Sequence, residues 1–420
     1  MQQRWIEKLV VRLRRFMLKQ AEASPTKPSA EERLSLVISV ARYCFHANYI
    51  LDVTEREQQR VDALRARIES DPQTARDAKS VAIFSAYAPL YSLKNAEAIE
   101  ANLSSVPSMA DLLREQITEY FALHRRIATV ESLTPVTDPV SVKVRSQYED
   151  LPYPRWRELG EASFVWHDTE KDRLERPGAT VLIAGCGTGQ ETCHLASAFP
   201  NADFLAIDIT RTSLAYAIGK AEFYDLKNIT YRQADILELG TLDRTFDYIQ
   251  SFGVLHHMDD PEKGWATLVS LLKPDGIMFI GLYSSTARRS INSARAAIAK
   301  GGYPPTPDGM RQFRKDSPKL LHKQDLQALR KAKDYYSLNG YRDALFHAHE
   351  DQFDIPRIKT DLKKMGLTFE GFRLPEGVMT QFRNKFPDDP RGLNLDNWHA
   401  FEQANPDTFI DCYRFWCSKA

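Results

Sequence analysis

Long apolar runs are missing from this sequence. Within the first twenty residues Trp5, Leu9, Leu13, Phe16 and Met17 fall at helical spacing, but Arg4, Lys8, Arg12, Arg14, Arg15 and Lys19 interrupt them. That interruption is too frequent for a signal-peptide core or a membrane span. The plainest reading is the first helix of an N-terminal domain with its basic face in water. An interfacial helix on acidic lipid, or a helix that binds a partner, would carry the same pattern. An excess of either charge is missing as well: 56 Lys and Arg stand against 56 Asp and Glu, so no global pull towards nucleic acid or membrane is expected. Cysteine is scarce. Cys44, Cys186, Cys193, Cys412 and Cys417 form no C-x-x-C pair and no zinc spacing, so neither a disulfide framework nor a structural metal is expected. A reducing cytoplasm is the simplest setting for them. No clean repeat of tetratricopeptide length is present either. With 420 residues, the chain is long enough for one large domain plus a smaller one.

What is present is concentrated between Val181 and Gln190. Val181, Leu182, Ile183 and Ala184 read as a short buried strand. Gly185, Gly187 and Gly189 follow at alternate positions, and a run of helix formers begins at Gln190. Strand, glycine turn and helix open a nucleotide-binding βαβ unit, in which the backbone approaches a ligand closely and the helix N-terminus meets an anion. A pyrophosphate turn needs G-x-G-x-x-G, whereas here the third glycine comes one residue early, which suits a carboxylate ligand. Cys186 lies inside the turn, where a disulfide would hinder it. A second apolar strand, Phe204–Ile207, ends in Asp208, nineteen residues past Gly189, where a carboxylate accepts both hydroxyls of a ribose. A third strand around Ile229–Tyr231 leads to Asp235, and a fourth at Phe246–Ser251 leads to Leu255-His256-His257. A helix at Pro261–Leu272 and a turn at Lys273–Gly276 feed a fifth strand, Ile277–Tyr283. Singly, the glycine turn is ordinary turn chemistry, and Asp208 or Asp235 an ordinary helix cap. Four such features in order across one series argue for a ligand.

This succession resembles the class I S-adenosylmethionine (SAM)-dependent methyltransferases. The resemblance implies an α/β, Rossmann-like seven-stranded sheet and SAM as cofactor. Carried over position by position, Gly185, Cys186, Gly187, Gly189 and Gln190 would wrap the methionine end. Asp208, with Ile209 beside it, would hold the ribose. Asp235 would accept from the adenine amino group, Ile236 would pack on the ring, and Leu255, His256 and His257 would lie beside the sulfonium. Many relatives carry an acidic residue where this chain has Ala184, so the methionine ammonium needs Gln190 or a group from the preceding segment as its partner.

Along the chain, residues 1–131 read as a helical N-terminal domain. Its helices are expected at Met1–Gln20, Glu31–Leu51, Glu55–Ser70, from Asp71 to about Tyr91, and at Ser108–Thr129, with a linker at 21–30. Residues 132–159 are dense in proline and aromatics, which makes a stiff segment. That segment resembles the one preceding the catalytic domain in a group of bacterial methyltransferases, some fused to tetratricopeptide repeats. By that likeness Tyr148, Tyr153, Arg155 and Trp156 would close the site as a lid; the alternative is a structural strap. The core occupies 160–283. From 284 to 365 a helical insertion is expected; its first part, Ser284–Leu345, is basic, with 13 Lys/Arg against 5 Asp/Glu. Near the carboxyl ends of the strands it suits an acidic substrate or partner, through Arg288, Tyr336 and Arg342, or simply forms a solvated face. The string His347-Ala348-His349-Glu350-Asp351 invites a metal, yet histidines two apart on a helix face different ways, so no metal is expected and His347 is a pocket candidate. Strands at Leu367–Leu374 and Thr408–Ser418, with a helix around Asn397–Ala404, complete the core in 366–420.

Methyl transfer from a sulfonium is an in-line displacement that gains most from alignment and desolvation. An oxygen or nitrogen acceptor also needs a base, for which His257 is the first choice and His256 the second, with Tyr283 orienting the acceptor. No Asn-Pro-Pro-Tyr signature follows strand four and no acidic metal triad is evident. The expected function is a cytoplasmic SAM-dependent methyltransferase acting on a protein or peptide, or on a small acidic molecule. A non-catalytic SAM-binding module is the alternative, and a dehydrogenase is disfavoured by the glycine spacing.

Overall fold

The computed structural model describes residues 2–21, 31–149, 152–160 and 167–420. The expected linker at 21–30 lies outside them except for Ala21. The chain divides into two compact units, one made of 1–125 with 293–346 and the other of 126–292 with 347–420.

The first unit is helical. Helices Gln2–Ala21, Glu31–His46 and Glu55–Ser70 stand where the apolar periodicity places them. The third begins with a capping box, in which Thr54 accepts from the Glu57 N–H while the Glu57 carboxyl reaches back to the Thr54 N–H. The single helix expected from 71 to 91 is broken instead. Asp77 accepts from the Ser80 N–H and hydroxyl and starts a new helix, Ala78–Ser85, after the short Pro72–Arg76. The next expected helix, 108–129, contains a wide turn at Arg114–Thr118 between Ala110–Leu113 and Glu119–Ile127. That turn inserts a residue, which is why Leu112 and Ile117, both buried, lie five apart rather than four. Helices Pro307–Leu320, Lys323–Leu329 and Leu338–Leu345 belong to this unit although they follow the fifth strand in sequence. They are joined to the N-terminal helices by an Arg314–Glu7 ion pair at 2.5 Å and by Arg311, which donates to the Tyr49 carbonyl at 2.9 Å. Two cations of the basic insertion thus serve the unit's own packing.

The second unit is a seven-stranded sheet with order β3-β2-β1-β4-β5-β7-β6. The strands are β1 Thr180–Ala184, β2 Asp203–Asp208, β3 Ile229–Gln233, β4 Phe246–Phe252, β5 Leu272–Tyr283, β6 Leu367–Phe372 and β7 Cys412–Lys419. The first five pair in parallel, and β7 runs antiparallel between β5 and β6. This is the expected α/β, Rossmann-like sheet. One face carries Leu182, Leu205, Ile249, Met278 and Phe415 into a core closed by Trp265, Ile358, Leu362 and Trp398. Residues of the other parity, Val181, Ile183, Phe204 and Ala206, are buried too, as in parallel sheets covered on both sides.

Two local expectations need correction. Lys273–Gly276 is a bulge within β5 rather than a turn before it, because register jumps from Phe246↔Leu272 to Tyr248↔Ile277. Lys273 Nζ meets the Asp247 carboxylate across that bulge at 2.7 Å. The stiff segment also contains a helix, Pro139–Glu149, started by Asp138 accepting from the Val140 and Ser141 N–H groups.

The β6–β7 edge is held by aromatics. Trp398 is fully buried, stacks on Phe382 at 3.8 Å between centroids, and donates its indole N–H to the Gly392 carbonyl at 2.8 Å. Trp398→Ala is expected to lower unfolding free energy by about 3–5 kcal/mol in urea titration; a loss near zero would show this edge packing to be dispensable.

Candidate functional site

Strand order reverses between β1 and β4, and in open α/β sheets a ligand crevice forms at such a point beyond the carboxyl ends. The apolar run of β1 stops at Gly185, and Gly185, Gly187 and Gly189 all take positive φ, at 82°, 51° and 77°. Each has a different reason. A Cβ on Gly185 would lie 2.1 Å from Val254 Cγ2, and one on Gly189 would lie 2.6 Å from Ala217 Cβ. A Cβ on Gly187 would meet nothing within 4 Å, so the turn has an open side there.

Asp208 ties this turn to the end of β2. Its Oδ2 accepts from the Gly187 N–H and its Oδ1 from the Thr210 N–H, both at 2.9 Å. Burial raises its carboxyl above the ordinary aspartate range, against the pull of those two N–H groups. Each oxygen keeps a lone pair for another donor. Asp235, following β3, is 1 % exposed; its Oδ1 accepts from the Leu237 N–H at 3.0 Å, while Oδ2 is buried without a hydrogen-bond partner. Ile236 and Leu255 are buried nearby in the same apolar cluster, and Ile209 is half-buried.

The proline-rich segment lies on the glycine turn. Thr188 donates its hydroxyl to the Pro154 carbonyl at 2.6 Å, and the Trp156 indole N–H donates to the Thr188 carbonyl at 2.9 Å. Trp156 is buried and stacks on Tyr224, while Tyr153 and Arg155 flank it half-buried.

Beyond β4, Leu255–His257 forms one short turn of helix and brings three imidazoles together with two tyrosines. The His256 ring stacks on Tyr283 at 3.7 Å, and its Nδ1 accepts from the Tyr283 N–H at 3.2 Å. The neutral ring is therefore protonated at Nε2, which is buried with no partner. His257 Nδ1 lies 2.8 Å from the His349 carbonyl, so Nδ1 donates and Nε2 keeps its lone pair. The His347 ring stacks on His257 at 3.7 Å, accepts from the His349 N–H through Nδ1, and meets the Tyr148 hydroxyl through Nε2 at 3.1 Å. Residues 347–350 are not helical, so the opposed-face argument about His347 and His349 does not apply. Among the described residues no group of three His, Cys, Asp or Glu side chains converges as a metal site. Burial, then the nearby Arg288 and His347, holds His256 well below the usual histidine range. Burial, then His256 and His347, does the same for His257.

Arg288 bonds to the buried Glu350 carboxylate and to Asp411, and its guanidinium lies 3.8 Å from the Tyr283 ring centroid. It therefore braces the histidine cluster through Tyr283. Tyr336 and Arg342 belong to the helical unit, where the Tyr336 hydroxyl donates to the Arg330 carbonyl. Sequence patterns left Glu191 and Arg414 unmarked. Glu191, in the first turn of helix Gln190–Ala198, receives a bond from Gln250 on β4, and its place directly behind the glycine turn was the available signal.

Residues 175–336 match a family described as a methyltransferase domain. An uncharacterized protein of Synechococcus sp. is 30 % identical over 259 residues, 56 % of this chain and 60 % of that one. A trans-aconitate 2-methyltransferase of Deinococcus radiodurans is 37 % identical over 106 residues, 25 % of this chain and 38 % of that one. The chain thus spans less than two thirds of either curated relative. PKMT2 from Rickettsia typhi in complex with AdoHcy aligns over 68 % of this chain and 53 % of that chain, at 17 % identity and a TM-score of 0.43.

Arg288→Met would remove the cation that faces the buried Glu350 carboxylate, and a loss of roughly 3–5 kcal/mol is expected in denaturant titration, partly restored by Glu350→Gln. Gly189→Ala should cost about 1–3 kcal/mol, because helix Gln190–Ala198 must move off Ala217; Gly187→Ala, with open space, should cost less.

Proposed function

We propose that this chain, whose residues 175–336 match a methyltransferase domain family, transfers a methyl group from S-adenosylmethionine to an oxygen or nitrogen of a small acidic molecule. The observation that carries the reading is Asp235 Oδ2, buried without a hydrogen-bond partner after β3 in the sheet whose first turn is open at Gly187. A sealed carboxylate oxygen without a donor is costly unless a ligand supplies one. The adenine amino group is such a donor, and Ile236 gives the ring an apolar wall.

Asp208, with Ile209 beside it, has the two lone pairs that ribose hydroxyls require. Gly185, Cys186, Gly187, Gly189 and Gln190 present backbone to the methionine end, and Gly187 offers the space. Neither Ile183 nor Ala184 carries a charge, so Gln190 and the Glu191 carboxyl are the groups of this turn that suit the ammonium. When bound, SAM supplies a methyl carbon on a sulfonium: the acceptor's lone pair forms the new bond, the S–CH3 bond breaks, and its electron pair stays on sulfur.

The chain's own contribution is alignment and proton handling. A carboxylate acceptor loses no proton. A hydroxyl or ammonium acceptor loses one, and His257 Nε2 is the atom to receive it, its ring fixed by the His349 carbonyl and His347. His256 Nε2–H, buried without an acceptor, offers a donor to the substrate, and Tyr283 supports that ring. Tyr148 and His347 close one side, with Tyr153, Arg155 and Trp156 on the strap. A small acid is in keeping with the trans-aconitate methyltransferase among the relatives. A peptide acceptor, and a module that binds SAM without turnover, are the alternatives a rate measurement separates.

Asp235→Ala should weaken S-adenosylhomocysteine binding by about 10–100-fold in calorimetry, the range for losing a hydrogen bond to a charged group; unchanged affinity would remove the adenine assignment. His257→Gln should slow turnover of a protonated acceptor by about 10²-fold with S-adenosylhomocysteine affinity kept. Because His256 and His257 are held neutral, wild-type turnover should show no step near the usual histidine pKa of about 6.5. Their folded-state pKa values lie below the unfolded value, so stability should be full above about pH 6.5 and fall as pH drops below it. Denaturant titrations across that range check the sign, and His257→Gln should flatten the dependence.

A further inference from the structure

Arg414 on β7 stands in register opposite Gly281 on β5. Its strand neighbours Cys412, Tyr413, Phe415, Trp416 and Cys417 are all buried, yet Arg414 itself is exposed. On a strand with hydrogen-bonded neighbours on both sides, one exposed residue marks an opening in the layer covering that face. The missing side chain at Gly281 is part of that opening's shape: a Cβ there would lie 2.1 Å from Phe252 Cδ2, so the Phe252 ring lies over the glycine. The Arg414 guanidinium rests on this ring, 4.8 Å from its centroid. An aromatic face thus orients the cation, whose field reaches the Glu191 carboxyl. Arg288, by contrast, is bonded to Glu350 and Asp411.

The position points to the acceptor. The pairing Ile183↔Gln250, carried two residues on, sets Gly185 level with Phe252, and Phe252↔Gly281 and Gly281↔Arg414 continue the row. At about 4.8 Å per strand, the row from the glycine turn to Arg414 spans roughly 14 Å, room for the end of one ligand and a small second one. Arg373, directly after β6, donates its main-chain N–H to the Arg414 carbonyl at 2.7 Å, while its guanidinium lies 5.4 Å from the Phe279 ring centroid.

We propose that Arg414 is the anion subsite of the acceptor: it holds a carboxylate or phosphate of a small organic acid, while the atom to be methylated lies towards β4 beside His256 and His257. The guanidinium fork suits either anion through paired N–H donors, and the Phe252 ring keeps it preorganised. The held anion is a second group, distinct from the methylated atom. This assignment rests on the methyl-transfer reading above.

The test uses the full chain and its Arg414→Gln and Arg414→Lys variants. Calorimetry with S-adenosylhomocysteine comes first and should give affinities within about two-fold of one another, about 0.4 kcal/mol, since Arg414 reaches that ligand's end only through its field on Glu191. Protein loaded with S-adenosylhomocysteine is then melted with succinate, citrate or O-phosphoserine, and with succinamide as the uncharged control. At least one anion should raise the wild-type Tm by about 2–4 °C, and succinamide should not. The shift should vanish in Arg414→Gln and survive in part in Arg414→Lys. The anion that acts tells carboxylate from phosphate. An intact shift in Arg414→Gln, an equal shift with succinamide, or no wild-type shift with any of the anions overturns the subsite while leaving the cofactor reading standing. No heat from S-adenosylhomocysteine in the wild type overturns that reading and the subsite with it.

Discussion

The carboxylate of Asp208 joins two turns that the sheet by itself leaves separate. One oxygen takes the N–H of Gly187, in the loop after β1, and the other takes the N–H of Thr210, in the loop after β2. That bridge holds the middle of a turn in which Gly185, Gly187 and Gly189 all take positive φ. It also fixes the side on which a ligand approaches, because Gly187 is the glycine with open space above it. Packing does the rest, with Val254 against Gly185 and Ala217 against Gly189.

The other organising group is the ladder of rings beyond β4 and β5. Tyr283, His256, His257 and His347 come from three separated stretches and are held by main-chain groups more than by each other: the Tyr283 N–H, the His349 carbonyl and the His349 N–H each fix one imidazole nitrogen. Fixing one nitrogen assigns the tautomer of the other. His256 is left a donor and His257 an acceptor, side by side, with no formal charge on either. Such a pair can donate to and accept from a neighbouring group without forming an ion pair with it. Arg288 sits behind Tyr283 as a buried cation already balanced by two carboxylates, so its field depresses histidine protonation without offering a binding site.

How much of this was legible depends on how local the signal was. The β1 strand, its turn, Asp208 and Asp235 were readable because strand period, glycine and cap chemistry all act within a few residues. The wide turn at Arg114–Thr118 showed only as imperfect spacing, since an inserted residue blurs a helical period without breaking it. The bulge in β5 looked like a turn because Pro274, Asp275 and Gly276 are the residues either would use. His347 was found as a candidate, but its place on His257 depends on a pairing 90 residues apart that no periodicity reports. Arg311 and Arg314 looked like part of a basic surface, and only the return of 293–346 to the N-terminal helices gave them partners. Arg414 was invisible for the same reason: one arginine in an apolar strand acquires meaning from Phe252 and Gly281, which are far away in the chain.

The insertion of β7 between β5 and β6 has a consequence for synthesis. When β6 has been made, its place in the sheet has no neighbour to receive it, because the strand that separates it from β5 spans residues 412–419. A nascent chain can therefore build the parallel part, from β3 through β5, while β6 and its aromatic helices wait with their apolar faces exposed. The antiparallel half of the sheet thus comes into being in one step, when β7 is made and docks between β5 and the waiting β6.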